Sequence, residues 1–297
     1  KFNGKWENFE SFEVIIKIKT IGKLKHKHKQ MAYWSKHGPV IKGVNSTYAV
    51  RYSNMNNLLA IEQWYKMNKA NNFKDWKNAI ETLSVPMFNT GYADKEGNIY
   101  YVYGAKTPKR NTKYDWQKVL PGNTSETLWS EYELFENLPQ VLNPESGFIQ
   151  NCNSTPFQTT IGPENPSSEN FNSNYGIETH MTNRALRAIE TIGKDKKISY
   201  DEFINYKFDL NYSDNSIMAF LVKRAISILN ENNKSELDID LKKQIINTLT
   251  KWNLSTERSN IYATLPIIAF NPLLDNSEDE IYDDLIIKRL VYASEYL

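Results

Sequence analysis

The chain has 297 residues, 40% hydrophobic and 24% charged, which is enough apolar material for one large core or two smaller ones and excludes a disordered chain. Thirty-six basic and 35 acidic residues leave a net charge of +1, so neither nucleic acid nor an acidic membrane is indicated as a partner. A single cysteine, Cys152, excludes an internal disulfide, and no apolar run reaches the roughly 20 residues of a membrane span. In chain order, Phe12, Val14, Ile16 and Ile18 alternate at period two and predict a strand over 12–19. The basic run Lys23–Lys29 is expected to be a solvated turn between two strands. His26 and His28 within it lack the further ligands that a metal needs, so no metal is assigned. Further strands are expected at 31–35 and 46–52, with a hairpin over 91–103 turning at Asp94-Lys95-Glu96-Gly97-Asn98. Helices are expected over 57–68 and from the N-cap Asn72, with Phe73, Trp76, Ile80 and Leu83 on one side. The pairs Trp64/Tyr65 and Phe73/Trp76 are read as core packing.

Residues 138–160, LPQVLNPESGFIQNCNSTPFQTT, set Pro139, Pro144, Gly147 and Pro156 around Asn151-Cys152-Asn153. Proline and glycine at that density make rigid turns, which can hold one polar side chain in a fixed place. A fixed Asn amide N–H is a suitable donor to a developing oxyanion, although the same residues also suit structural Asx turns. A polar loop spans 161–180. Beyond it the pattern turns helical, at 182–192, 200–207, 216–229, 240–252 and 277–296. Strands followed by helices predict an α+β chain: 1–160 mainly β with two inserted helices, and 181–297 mainly helical.

Several steps together resemble the β-subunit of the penicillin amidase family, which includes penicillin, cephalosporin, aculeacin and acyl-homoserine-lactone acylases. Asn143 to Pro156 resembles its "NP.sGfi.n.N.sP" pattern. Ser35-Lys36-His37-Gly38-Pro39-Val40 resembles "srHGPv", and Tyr48-Ala49-Val50-Arg51 resembles "yalR". Asn89-Thr90-Gly91-Tyr92-Ala93-Asp94 with Gly97-Asn98-Ile99-Tyr100-Tyr101 resembles "Nt.yAD..GnI.Y". Leu120-Pro121-Gly122 resembles the "lPG" turn, and Arg184 with Arg187 resembles "..R..R". The order of these steps over roughly residues 30–270 carries the resemblance. The His-Gly-Pro step, the Tyr48-Ala49-Val50-Arg51 strand and the Gln63–Asn68 helix lean towards the aculeacin and acyl-homoserine-lactone branch rather than penicillin G acylase.

The resemblance implies an internal fragment of a β-subunit, part of the αββα sandwich of N-terminal-nucleophile hydrolases with a following helical layer. Lys1 at the start and a helix at the end agree with an excised piece. In that family an N-terminal Ser, freed by self-cleavage, attacks an amide carbonyl and its own α-amine serves as base. No such residue lies in this segment, and no G-x-S-x-G elbow appears. The segment alone is therefore expected to be inactive. By resemblance Asn153 is the oxyanion-hole donor and Arg184 organises the site. Cys152 is read as a small buried side chain and His37 as structural. Some members bind calcium; Glu164 falls in the corresponding loop, but no metal or cofactor is assigned. Trp252-Asn253 stands where relatives often have Trp-Asp, which puts any role of that acid in doubt. The implied partners are a small N-acyl amide substrate (a β-lactam side chain, an acyl-homoserine lactone or a lipopeptide) and the remainder of the precursor. Export to the periplasm or beyond is expected from relatives. The rival reading is a non-catalytic secreted binding protein, since 18 Tyr and 7 Trp with many Asn suit a polar or glycan ligand.

Overall fold

The computed structural model describes residues 1–55, 57–231, 238–274 and 281–296, and is α+β. The chain divides into two compact units. The first comprises Lys1–Asn143 and Pro166–Glu178; the second comprises Pro144–Asn165 and Thr179–Leu297.

The first unit holds two antiparallel sheets. Strands β1 (Glu10–Lys19), β2 (Lys25–Ser35), β3 (Gly38–Lys42) and β4 (Thr47–Ala49) follow one another in a meander. The basic run corrects the expectation made for it. Lys25 to Lys29 lie on β2, paired with Lys19 to Ile15, and the turn is confined to residues 20–24. Gly22, at φ 60°, supplies the left-handed step of that turn, and Thr20 N–H donates to the Leu24 carbonyl at 3.0 Å. Lysine is tolerated there because β2 is exposed over Lys25 to Met31. Gly38, at φ 130°, explains the His-Gly-Pro step, because a Cβ there would overlap the Val50 carbonyl oxygen.

Strands β5 (Met87–Ala93), β6 (Ile99–Ala105) and β7 (Gln140–Leu142) form the second sheet, with Ala93 opposite Ile99 across the expected hairpin turn. Helices α1 (Ala60–Lys69) and α2 (Phe73–Ile80) pack on it. Asn72 caps α2 by accepting from Asp75 N–H at 2.9 Å. Met67, Trp76, Ile80 and Leu83 bury against Tyr100, Val102, Phe135 and Leu138. Trp76 and Phe73 are in this layer as expected, but Trp64 and Tyr65 are not: they stay 42% and 62% exposed. The buried face of α1 is instead Gln63 and Met67.

Gln63 is 4% exposed and acts as a polar bolt. Its Oε1 accepts from Ser84 N–H at 2.6 Å, Val85 N–H at 3.0 Å and Thr82 Oγ1 at 3.1 Å. Replacing Gln63 by Leu would strand two buried backbone donors, each costing about 1–3 kcal/mol. Gln63→Leu is expected to lower stability by about 3 kcal/mol in a urea titration. A loss under about 1 kcal/mol would mean that water reaches these amides.

The second unit is helical beyond its opening loop. It contains α3 (Asn183–Glu190), α4 (Tyr200–Lys207), α5 (Ile217–Glu231), α6 (Ile239–Lys251), α7 (Thr264–Phe270) and α8 (Asp283–Ser294). Met218, Leu221, Leu229, Ile245, Leu249, Leu265, Phe270, Ile286 and Leu290 form its core. The sequence expectation at 277–296 is met from Asp283 to Ser294, while 277–280 lie outside the described residues. Helix α7, for which the sequence carried no expectation, contains Pro266. Proline is tolerated in the first turn, where the missing N–H has no intrahelical partner.

Candidate active site

The loop from Pro144 to Asn165 is built by side chains that replace regular backbone pairing. Asn165 Oδ1 accepts from Thr159 and Thr160 N–H at 2.8 and 3.0 Å, and Gln150 N–H donates to the Thr159 carbonyl at 2.7 Å. Asn151 Oδ1 accepts from Asn153 N–H at 3.2 Å, an Asx turn, and Asn151 Nδ2 donates to the Ser154 carbonyl at 3.3 Å. Thr155 Oγ1 accepts from Phe157 N–H at 3.2 Å and opens a 3-10 turn whose first residue is Pro156.

Asn153 therefore sits at a reversal, with φ 56°. Asn enters this left-handed region more readily than other non-glycine residues, because its short amide can bond locally. The backbone conformation and the amide chemistry thus ask for the same residue.

Helix α3 faces this loop with its first turn. Thr182 is its N-cap and Arg184 lies in that turn. Arg184 Nη2 donates to Asn153 Oδ1 at 2.9 Å and to the Cys152 carbonyl at 3.1 Å. Thr182 Oγ1 donates to the same carbonyl at 2.9 Å, and Thr155 N–H donates to the His180 carbonyl at 3.0 Å. The structure thus brings together Asn153 and Arg184, the two residues named from the sequence, across 31 positions. A guanidinium cannot accept, so the amide oxygen must face Arg184 and the amide nitrogen must point away. Asn153 is exposed, and among the described residues its Nδ2 donates to nothing. The arrangement offers a pre-aimed N–H pair beside a fixed positive charge.

Farther along α3, Arg187 forks onto Asp209, with Nε to Oδ2 at 2.7 Å and Nη2 to Oδ1 at 3.2 Å, and reaches Glu190 Oε2 from Nη1 at 2.9 Å. Glu190 also accepts from Ser213 Oγ at 2.6 Å, and Asn183 ties the helix start to 211–213 through the Asn211 carbonyl and Ser213 N–H. Burial pushes the Glu190 carboxyl up, but hydrogen bonds from Ser213 and Arg187 outweigh it and hold it below the ordinary range. Asp209 is likewise pushed up by burial and brought below the ordinary range by its bonds to Arg187 and Asn211. Arg187 stands in the resemblance pattern, but its partners Asp209, Glu190 and Ser213 carry no signal in the sequence. A polar residue that bonds at long range leaves no periodic trace in sequence.

The remaining residues singled out from the sequence have structural partners. Cys152 is half-buried, and burial pushes its thiol up, against the character of a nucleophile. His37, 8% exposed in the first unit, contacts Thr127 Oγ1 through Nε2 at 2.9 Å. Thr127 Oγ1 also lies 2.8 Å from the Pro121 carbonyl and 3.2 Å from the Thr124 carbonyl, either of which can take its one proton, an arrangement that suits a His37 tautomer donating from Nε2. Burial, then Arg51, lowers the His37 pKa and favours this neutral state. Glu164 Oε2 accepts from Glu145 N–H at 2.7 Å. Among the described residues no group of three or more His, Cys, Asp or Glu is placed to hold a cation. Asn253 Oδ1 accepts from Ser255 N–H at 3.2 Å and Asn260 Nδ2 at 2.8 Å, a turn that an amide serves directly.

Comparison with known proteins gives concordant results. The family model "Penicillin amidase" matches residues 1–291. Penicillin G acylase of Escherichia coli is 26% identical over 259 residues, covering 84% of this chain and 28% of that protein. An acyl-homoserine lactone acylase PvdQ of Pseudomonas fluorescens is 22% identical over 274 residues, covering 83% of this chain and 34% of that protein. The chain thus spans about a third of the length of these relatives, and the two branches match it at comparable identity. A thermostable penicillin G acylase from Alcaligenes faecalis superposes with a TM-score of 0.61 at 19% identity, over 86% of this chain and 43% of that one. This likeness shows the fold, the α+β N-terminal-nucleophile hydrolase type of which the described sheets and helices are part. On the family match over nearly its whole length, the chain belongs to the penicillin amidase family.

Proposed function

We propose that this chain is part of an acylase that hydrolyses the linear amide of a small N-acyl substrate, and that it contributes the oxyanion donor rather than the nucleophile. The observation that carries the reading is the Arg184–Asn153 bond at 2.9 Å, which leaves the Asn153 Nδ2–H pair aimed outward. The nucleophile is an N-terminal Ser outside this segment, freed by cleavage of a precursor. Its Oγ attacks the amide carbon while its α-amine takes the Oγ proton. The carbonyl oxygen becomes anionic and Asn153 Nδ2–H donates to it. The α-amine then returns the proton to the leaving nitrogen, and water releases the acid from the ester. Arg184 keeps the amide from flipping, because the flipped amide would set N–H against N–H.

The substrate is a penicillin-type β-lactam side-chain amide or an acyl-homoserine lactone, as the relatives' names indicate for them, or a lipopeptide. The other partner is the rest of the precursor, and the working place is the periplasm or the medium. No helix among the described residues is long and apolar enough to cross a membrane. The segment alone is expected to release no acid from such amides.

The test is N-terminal sequencing of the purified full-length parent, with assay of acid release from a panel of N-acyl amides. A new terminus at Ser, Thr or Cys upstream of residue 1, with acid released, supports the reading. A single uncleaved chain without turnover overturns it and favours the binding protein.

A further inference from the structure

We infer that Thr182 is a positioning residue for the oxyanion donor, acting through the Cys152 carbonyl; this rests on the reading of Asn153 given above. The hydroxyl of Thr182 has one proton and two tasks. It accepts from Ala185 N–H at 3.3 Å, capping α3, and it donates to the Cys152 carbonyl at 2.9 Å. A hydroxyl can do both at once, because its proton and its lone pairs point in different directions. One atom therefore fixes the helix start and the peptide that leads into Asn153.

The consequence is geometric. Asn153 is placed by three holds: its left-handed backbone, the Asx turn from Asn151, and the Arg184 bond to its Oδ1. Arg184 is exposed on a long side chain, so by itself it fixes direction more firmly than distance. The Cys152 carbonyl is shared between Arg184 and Thr182, at 3.1 and 2.9 Å. The Thr182 bond comes from a short, stiff β-branched side chain and originates at the N-cap of the same helical turn as Arg184. It sets the spacing between helix and loop, and hence where Nδ2 sits relative to the reacting carbonyl. Donor placement matters steeply in such sites: a misplacement of about 1 Å can cost ~10²-fold in rate. The bonds of the Thr182 hydroxyl go to the Cys152 carbonyl and Ala185 N–H, so its effect on the reaction is expected to travel through the peptide that leads into Asn153.

Cap and donor can be separated. Asp at position 182 retains an N-cap acceptor next to the helix N-terminus but has no proton to give the Cys152 carbonyl. Val removes both functions, and Ser retains both. In the full-length parent, Thr182→Asp and Thr182→Val are expected to lower kcat about tenfold with KM within about twofold, and Thr182→Ser to restore it. Ser199→Ala removes the capping box of α4, which lies outside the site, and serves as the control for lost helix capping. It is expected to lower the melting temperature without moving kcat. If Thr182→Val does not fold, Thr182→Asp carries the test. Native kcat in Thr182→Asp, in an enzyme that Asn153→Asp inactivates, overturns the inference and leaves the oxyanion assignment standing. Turnover surviving in Asn153→Asp overturns both. A loss in Thr182→Asp that Thr182→Ser does not repair also overturns the inference, because the hydroxyl would not be the cause.

Discussion

Replacing Asn153 by Asp in the full-length parent is expected to cut kcat by at least about 10²–10³-fold while leaving the melting temperature unchanged or raised. The substitution is nearly isosteric. Asp accepts from Arg184 where the Asn153 amide oxygen does now, at 2.9 Å, and it gains a charge partner there. It also tolerates the left-handed backbone at φ 56°. What disappears is the Nδ2–H pair, and a negative charge takes its place beside a developing oxyanion. Asn153→Ala is less clean. It removes the donor too, but an alanine in this conformation costs about 1–2 kcal/mol, so activity and stability fall together. Asn153→Gly relieves that strain and still lacks the donor. If Asp and Gly variants both fold and both turn over normally, the oxyanion role is wrong, and the Arg184 bond is only a loop tie.

The variants differ because position 153 is asked for two things, and this bears on what could be read in advance. The dense Pro and Gly frame identified a rigid loop, and Asn153 and Arg184 were named through a family resemblance, not through spacing. Their hydrogen bond was not visible, because residues 31 positions apart share no periodicity. The strands and helices with an alternating or 3.6-residue pattern were legible: the Phe12–Ile18 strand, the hairpin across Asp94–Asn98, and α4 at its exact bounds. The Lys25–Lys29 run was assigned to a turn because charge suggests solvent, but a sheet exposed on both faces accepts lysine on its strands. Aromatic pairs at helical spacing suggest core packing for Trp64 and Tyr65, but Gln63 is the buried residue on that helix because it can satisfy Thr82, Ser84 and Val85. In both cases strand pairing or long-range hydrogen bonding, which leave no local trace, decided against what residue type suggests.

The same logic gives Asp209 a large effect. Asp209→Asn is expected to lower the stability of the chain at pH 7 by about 2–3 kcal/mol, measured by chemical denaturation. A fully buried pair broken on one side costs about 3–5 kcal/mol; the figure is reduced here because Arg187 and Asp209 retain 24% and 14% side-chain exposure. The sign with pH follows from the shifts. The carboxyls of Asp209 and Glu190 are held below their ordinary values of 3.8 and 4.5 in the folded chain. The unfolded chain therefore binds protons first as pH falls, and the stabilisation present above those values is lost as pH descends through the folded ones. Asp209→Asn removes one of these groups, so its penalty should shrink as the pH falls below about 4, where the unfolded wild-type chain begins to take up a proton that folded Asp209 still lacks. A penalty independent of pH would mean that the amide fails by shape rather than by charge. Because Asp209 holds Arg187 on the helix that carries Thr182 and Arg184, the loss should reach the loop as well. In the parent enzyme Asp209→Asn should lower kcat even at temperatures where the fold is intact. Unchanged kcat there would show that the first turn of α3 is fixed by its own bonds to Cys152 and Asn153 and does not need the anchor behind it.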